Sequence, residues 1–583
     1  MSTVDVSTEG SQQRELLGHP IGLSICFLTE MWERFSYYGM RTILVLYLVK
    51  YHLFSTEKSS LIYGAYAGLV YMMPILGGYF ADRYLGSRKA VTYGAILLVA
   101  GHSLMALHGP RAERYYAFDG AEYQVSYQQA IAGDNSSEFE VVAINGSNFK
   151  VEKVKNTEGQ TTGVKLVGLD AAQGTMKEYA NGSFDTRIVQ HNEYLNIFFF
   201  SLALIITGVG FLKANISTIV GALYGPNDPR RDGGFSIFYM GINLGSLFST
   251  ALVGYVGEVY GWNYGFGLAG IGMLFGLFVF LWGQKLLDGR AEPPRPEVLK
   301  ERSPIGLNKE WAIYVFGLGL VVLSWLLIQY QSFVGTLLGA SGFVMIAIIV
   351  AYAFMKCEAE ARDRLFVAAF LIAIQSVFWA LFEQQAASLT LLADQQFNLD
   401  VIGFSFRASQ VQLLNPLFIV LLAPVMAWLW VALARKSVEP STPGKFGISM
   451  LLIGLGYIVF AWGLGMESGT DKSFLWLVFI YLSLTLAELC LSPVGLSMVT
   501  KLSVPSIVGM MMGTWFLFTA LGNYVAGWIS SLTGSGEHGG DSGTLDIGAV
   551  ISVYTDIGLL SVGVGIFILV LTPIMRKRMH GVH

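Results

Sequence analysis

The sequence predicts an all-α polytopic membrane fold: two six-helix bundles, two extra helices between them, and a small β-rich insertion in the first bundle. Three observations predict it. Of the 583 residues, 53% are hydrophobic and 13% charged, whereas globular domains carry about 25% charged residues. Fourteen apolar runs approach the roughly 20 residues that cross a bilayer as a helix. Of the 37 lysines and arginines, 22 fall in segments that would share one side with the N-terminus, and four fall in short loops on the other side. Such asymmetry sets orientation, and with an even span count it places both termini in the cytoplasm.

The elements follow in order. Residues 1–20 are a polar cytoplasmic tail without a basic-then-apolar cleavable signal. The first six spans are expected near 21–49, 61–81, 90–108, 193–222, 234–257 and 264–286, making residues 21–286 the N-terminal bundle. Residues 287–361 form a linker that opens with Pro293, Pro294 and Pro296 and holds two extra spans, near 311–329 and 336–356. Six more spans, near 366–389, 411–434, 446–466, 474–499, 508–531 and 549–575, make residues 362–583 the C-terminal bundle. Two bundles of six are the architecture in which a midplane site sits between halves that rock.

Residues 109–191, between the third and fourth spans, differ in kind. They are polar, with alternating runs such as Glu138-Phe139-Glu140-Val141-Val142, and carry Asn145-Gly146 and Asn181-Gly182. Period-two alternation bounded by Asn-Gly predicts short β-hairpins. By the charge rule this insertion lies outside the membrane, on the side away from both termini.

The most informative run is Thr29-Glu30-Met31-Trp32-Glu33-Arg34-Phe35-Ser36-Tyr37-Tyr38-Gly39-Met40-Arg41. It sets two carboxylates and two guanidiniums inside the first span, where an ionisable group costs roughly 3 kcal/mol unless it faces water or a partner. At 100° per residue, positions 30, 33, 34, 37, 38 and 41 share one face. A polar stripe of that length needs an aqueous pathway. Elsewhere at membrane depth stand Lys213, Glu383 and Glu488, with the neutral Asn243 and Asn415. The signs segregate: the deep cations Arg34, Arg41 and Lys213 belong to the first half, while the second half supplies only carboxylates. A cavity between the halves would suit a zwitterion, and two or three extended residues span roughly 7–11 Å. A substrate carboxylate competing for Arg34 would alter the proton occupancy of the adjacent Glu33. Glu258, near a predicted outer helix end, is expected to be solvated.

Several classes are excluded. Cys26, Cys357 and Cys490 all lie in apolar runs, which leaves no disulfide framework and no zinc spacing. The P-loop and nucleophile–base motifs of enzymes are absent. No metal, no organic cofactor and no nucleic-acid partner is expected.

The motifs carry a resemblance. The basic segment Asp82-Arg83-Tyr84-Leu85-Gly86-Ser87-Arg88-Lys89 resembles the loop between helices two and three of the major facilitator superfamily. Glu30-x-x-Glu33-Arg34-Phe35-x-Tyr37-Tyr38, Gly77-Gly78-Tyr79-Phe80-Ala81-Asp82-Arg83 and Phe238-Tyr239-Met240-Gly241-Ile242-Asn243 resemble the proton-dependent oligopeptide transporter family. So do Phe378-Trp379…Phe382-Glu383-Gln384 and Glu488-Leu489-x-Leu491-Ser492-Pro493. The extra central pair is similar to that of bacterial members. The resemblance implies a major facilitator fold and proton-coupled import of di- and tripeptides, and of peptide-like drugs, across a bacterial inner membrane. By the same resemblance Glu30, Glu33, Arg34 and Glu383 would couple protons. Arg34, Tyr38 and Lys213 would hold the peptide carboxylate, and Asn243, Asn415 and Glu488 its amine, with Ser492 in the same site. Tyr37, Tyr71, Trp379 and Trp515 would line side-chain pockets. Arg41 with Glu383 would form an outer gate, and Lys213 with Glu488 an inner one. Ala214 departs from the pattern, standing where many members have proline after the helix-four lysine.

Overall fold

The computed structural model describes residues 14–107, 109–130, 138–155, 161–169, 175–225, 228–401, 403–467, 469, 471–534 and 544–582. Most of the expected 1–20 tail, and parts of the insertion, lie outside the described residues. The first bundle consists of helices α1 (Gly22–Lys50), α2 (Thr56–Phe80), α3 (Gly86–Ala106), α4 (Asn192–Ala222), α5 (Arg231–Val259) and α6 (Trp262–Gly283). The central pair is α7 (Lys309–Gln329) and α8 (Gln331–Lys356). The second bundle holds α9 (Ala359–Phe382), α10 (Leu414–Arg435), α11 (Thr442–Met466), α12 (Phe474–Leu502), α13 (Val508–Ser531) and α14 (Ile547–Arg578). Each helix bears large apolar side chains either in the core or on an outward belt, such as Phe278, Trp282, Phe343, Trp428 and Val570, all more than 60% exposed. Exposure on that scale marks a lipid-facing surface. The chain is a multi-pass membrane protein of the major facilitator fold.

Three local features depart from plain spans. The turn between α2 and α3 is a π-helical segment, Ala81–Leu85, ended by Gly86 at φ +73°. A Cβ on Gly86 would lie 2.5–2.7 Å from the Glu292–Pro293 backbone, so glycine lets the linker press on this turn. Arg88 fixes the contact with a fork onto Glu292 (2.6 and 2.8 Å). The span expected at 366–389 breaks: α9 stops at Phe382, a 3-10 turn covers Glu383–Ala386, and a separate short helix runs Ser388–Gln396. Glutamines satisfy the freed backbone, Gln384 Nε2 donating to the carbonyls of Ala380 (3.0 Å) and Ala526 (2.9 Å). Broken helices at membrane depth persist where such partners exist. α4, in contrast, runs unbroken past Ala214.

The insertion is one antiparallel sheet of β1 (Glu113–Phe118), β2 (Ala121–Gln129), β3 (Glu138–Ile144), β4 (Ser147–Lys155), β5 (Thr161–Gly168), β6 (Thr175–Ala180) and β7 (Asp185–Val189), in the order β6-β5-β4-β3-β2-β1-β7. Asn145 (φ +52°) and Gly146 (φ +82°) close the β3–β4 hairpin as expected. Asn181-Gly182 does not close a hairpin. The strands beside it, β6 and β7, lie at opposite edges of the sheet and pair with β5 and β1. That short link therefore requires the sheet to curl until its edges meet, around a core that includes Tyr116, Phe118, Val142 and Leu166. Phe118 stacks on Tyr179 at 4.5 Å, and Asp119 accepts from Lys177 Nζ (2.8 Å) and Tyr179 Oη (2.8 Å).

Those two donors hold the Asp119 carboxyl below the ordinary carboxylate range. A depressed native value stabilises the clasp above the unfolded carboxylate's value, about 3.9, and that contribution is lost as pH falls through the native one. Amide-exchange protection of β6 is therefore expected to hold at neutral pH and decline below about pH 4. Asp119→Asn should flatten that pH dependence; a variant that still shows it would refute the clasp.

Candidate functional site

α1 places Glu30, Arg34, Tyr38 and Arg41 along one edge, and this edge borders a cavity of about 220 Å³ between the two bundles. That volume holds roughly seven waters at about 30 Å³ each, room for a short peptide. Tyr71 from α2, Lys213 from α4 and Asn243 from α5 complete the first-half wall. Trp379 and Glu383, Asn415 from α10, Glu488 and Ser492 from α12, and Trp515 from α13 form the opposite wall.

Arg34 is 2% exposed and sits between two carboxylates: Glu33 accepts from its Nε, and Glu30 lies 3.2 Å from the same nitrogen. Its Nη2 is buried with no hydrogen-bond partner among the described residues. Among the described residues Lys213 makes no ion pair; its ammonium lies 4.0 Å from the Tyr71 ring centroid. The first-half wall thus presents two cationic groups with donor capacity to spare. Across the cavity Glu488 accepts from Asn415 Nδ2 (3.1 Å). Trp379 Nε1 donates to Gln375 Oε1 (2.7 Å), which fixes its indole, while Gln375 Nε2 donates to the Trp515 backbone carbonyl (2.8 Å) and ties α9 to α13.

The proposed gate pairs differ in state. Arg41 Nη2 and Glu383 Oε2 are 2.6 Å apart and buried, with Tyr63 Oη donating to the same oxygen (3.3 Å). Lys213 and Glu488 are not joined to each other among the described residues. The closed pair has company on the side that carries the insertion. Lys50 pairs with Asp394 (2.5 Å), Thr42 donates to the Ser409 carbonyl (2.8 Å), and Ser60 meets Ser530 (2.8 Å). There α2 and α13 touch backbone to backbone: a Cβ on Gly527 would lie 2.4 Å from the Ser60 carbonyl oxygen. Tyr239, which also lines the cavity, is 44% exposed.

Two expectations need correction. Tyr37 does not line the cavity. It is 1% exposed, packed edge-on to Tyr38 (5.3 Å) with the Arg34 guanidinium 5.1 Å from its ring centroid. The polar stripe is wider than the cavity, so its margin, Glu33 and Tyr37, turns into the bundle while positions 30, 34, 38 and 41 face the space. Glu258 is not solvated. It is 1% exposed and accepts from the Ser409 amide (2.9 Å) and hydroxyl, joining α5 to the second half. Sequence reasoning also missed cavity residues, among them Tyr239, Ser246, Gln385, Ile419 and Thr519. Helical spacing could have found most of them: 239 and 246 flank Asn243 on one face, 419 follows Asn415 by four, and 519 follows Trp515 by four.

Residues 88–544 match the model of the POT family. The chain is 32% identical over 548 residues to the peptide transporter YePEPT of Yersinia enterocolitica, covering 90% of each chain. To the di-/tripeptide transporter of Lactococcus lactis subsp. lactis it is 31% identical, with 97% of each covered. A crystal structure of a peptide transporter POT in complex with sulfate superposes with a TM-score of 0.73 at 32% identity, covering 98% of both chains. With its fold, its sign-divided cavity and these matches in agreement, the chain belongs to the POT family of proton-dependent oligopeptide transporters.

Proposed function

We propose that this protein is a proton-coupled symporter that imports di- and tripeptides by alternating access, in a bacterial inner membrane with both termini cytoplasmic. The observation that carries the reading is the cavity's division by sign, with Arg34 and Lys213 on one wall and Glu488 on the other. A peptide's carboxylate is drawn to the Arg34 guanidinium and the Lys213 ammonium, and its ammonium group occupies Glu488 beside Asn415. A doubly charged ligand satisfies both walls at once, whereas a singly charged one leaves a buried charge uncompensated, which is costly. Trp379 and Trp515 supply apolar surface for side chains.

The distribution of basic residues supports placing the insertion outside. On that orientation the outer side is closed by Arg41–Glu383 and the inner pair Lys213 and Glu488 is apart, which describes an inward-open carrier. Coupling works through competition. Peptide carboxylate drawn to Arg34 weakens the hold of the guanidinium on Glu33 and Glu30, and a proton takes the place of the lost partner. Proton and peptide then cross together.

The test is uptake of labelled dialanine into proteoliposomes with and without an inward proton gradient. Wild-type protein should accumulate the dipeptide only with the gradient. Glu33→Gln should lose accumulation while retaining counterflow exchange, which moves no net proton. Full gradient-driven accumulation by Glu33→Gln would show the coupling assignment to be wrong.

A further inference from the structure

Between the curled sheet and the insertion-side mouth lies a second cavity, of about 580 Å³. Its floor is the seam between the bundles: Lys50, at the end of α1, and Asp394, at the end of the Ser388–Gln396 helix, line it and pair across it (2.5 Å). Its roof is one face of the sheet and the strand leading into it, with Arg111, Tyr127 and Glu138. The roof is anchored to the first bundle at both of its ends. The Ala112 amide donates to the Tyr51 carbonyl (3.0 Å), and Gln190 Nε2 donates to that of His52 (2.9 Å).

The roof is built for charged and polar groups. Arg111 Nη1 pairs with Glu138 (2.5 Å), and its guanidinium stacks 3.5 Å from the Tyr127 ring centroid. Among the described residues Arg111 Nε and the Tyr127 hydroxyl are both buried without a hydrogen-bond partner. Buried donors without partners are rare and call for an explanation. The floor repeats the polarity of the central site. Going up α1, Arg34, Arg41 and Lys50 stand on the first half, against Glu488, Glu383 and Asp394 on the second. Arg41 and Lys50 are nine residues apart, about 13 Å along the helix. Each step of this ladder is cationic on one side and anionic on the other.

We propose that the insertion and the seam beneath it form a second binding site, outside the gate, for short zwitterionic peptides. This rests on the reading that the chain carries peptides. A peptide that parts the Arg111–Glu138 pair, its carboxylate on Arg111 and its ammonium on Glu138, lies above Lys50–Asp394 in the same cavity. When that pair parts, it leaves a cation and an anion in the same left-to-right order as the central cavity, so the peptide passes down the seam already oriented.

The test uses the full chain and has two arms. In cells, initial uptake of labelled dialanine is measured for wild type, Arg111→Gln, Glu138→Gln and the conservative Arg111→Lys. Loss of one charged contact should raise KM about five-fold with Vmax unchanged, and Arg111→Lys should recover most of the change. A fall in Vmax at constant KM, or no change in either, would overturn the site. The second arm is independent of transport. Gln395→Cys is placed in an Arg34→Ala background, where the central site is disabled, and its labelling by a membrane-impermeant maleimide is followed. Dialanine at half occupancy should slow labelling about two-fold, and Arg111→Gln should abolish the protection. Normal wild-type uptake without protection rejects the outer site alone. Protection without wild-type uptake rejects the transport reading and leaves the site standing.

Discussion

Arg34→Ala is expected to abolish dialanine uptake, lowering its efficiency by about two orders of magnitude or more. Removing one partner of a buried ion pair costs about 3–5 kcal/mol, because the other charge is left uncompensated. Here two carboxylates lose the same cation, since both Glu30 and Glu33 rest on Arg34 Nε, and Glu33 is fully buried. The guanidinium that would receive a peptide carboxylate disappears with them. Arg34→Lys should fall between the two, because an ammonium restores the charge without the planar fork. Folding and binding can be told apart. Glu33→Gln added to Arg34→Ala removes one orphaned charge and should raise the thermal unfolding temperature in detergent, without restoring uptake. If Arg34→Ala transports normally, the central cavity is not the peptide site.

The second large effect is expected at the insertion-side closure. Among the described residues Arg41→Gln leaves the buried Glu383 with only Tyr63 as a partner. The cost of about 3–5 kcal/mol falls on the closed state, because the pair spans the two halves and parts when they separate. Such a bias moves the conformational equilibrium roughly a hundred- to several-thousand-fold toward opening on that side. A cysteine at Ser246, which lines the cavity, should then react faster with a membrane-impermeant maleimide added from the insertion side. The double variant Arg41→Gln/Glu383→Gln, which leaves no lone charge, should return part of the way toward wild type. Gly527→Val should act in the same direction by a different cause, since its side chain would strike the Ser60 carbonyl and Gly64 Cα (2.4 and 2.5 Å from the new Cβ). Unaltered labelling in both Arg41→Gln and Gly527→Val would refute the assignment of this side as the closed gate.

The chain's sequence alone determined that it is a helical membrane protein of two six-helix halves, because hydrophobic length is a local property that neighbouring residues cannot hide. It also determined which ionisable groups need an explanation, since each of Arg34, Lys213, Glu383 and Glu488 stands out against an apolar run. The β insertion was legible from alternation, and the Asn145-Gly146 hairpin from turn chemistry.

What only the tertiary structure decided was where each polar group points and what it meets. Positions 33 and 37 share a helical face with 30 and 34, yet the arc of that face bordering empty space depends on how closely α1 meets its neighbours. Glu258 read as a surface residue until the second half supplied Ser409 as its partner across 151 positions of sequence. The break after Phe382 is invisible in hydropathy, because Gln384 caps it by donating to Ala380 on its own helix and to Ala526 on α13, a contact that only folding supplies. The same holds for the second cavity. Its roof and its floor come from segments well separated in sequence, and only folding brings Arg111 and Glu138 over Lys50 and Asp394. Spacing along a chain fixes periodicity and span length, whereas the choice between an aqueous wall, a buried pair and a closed gate belongs to the distance between helices.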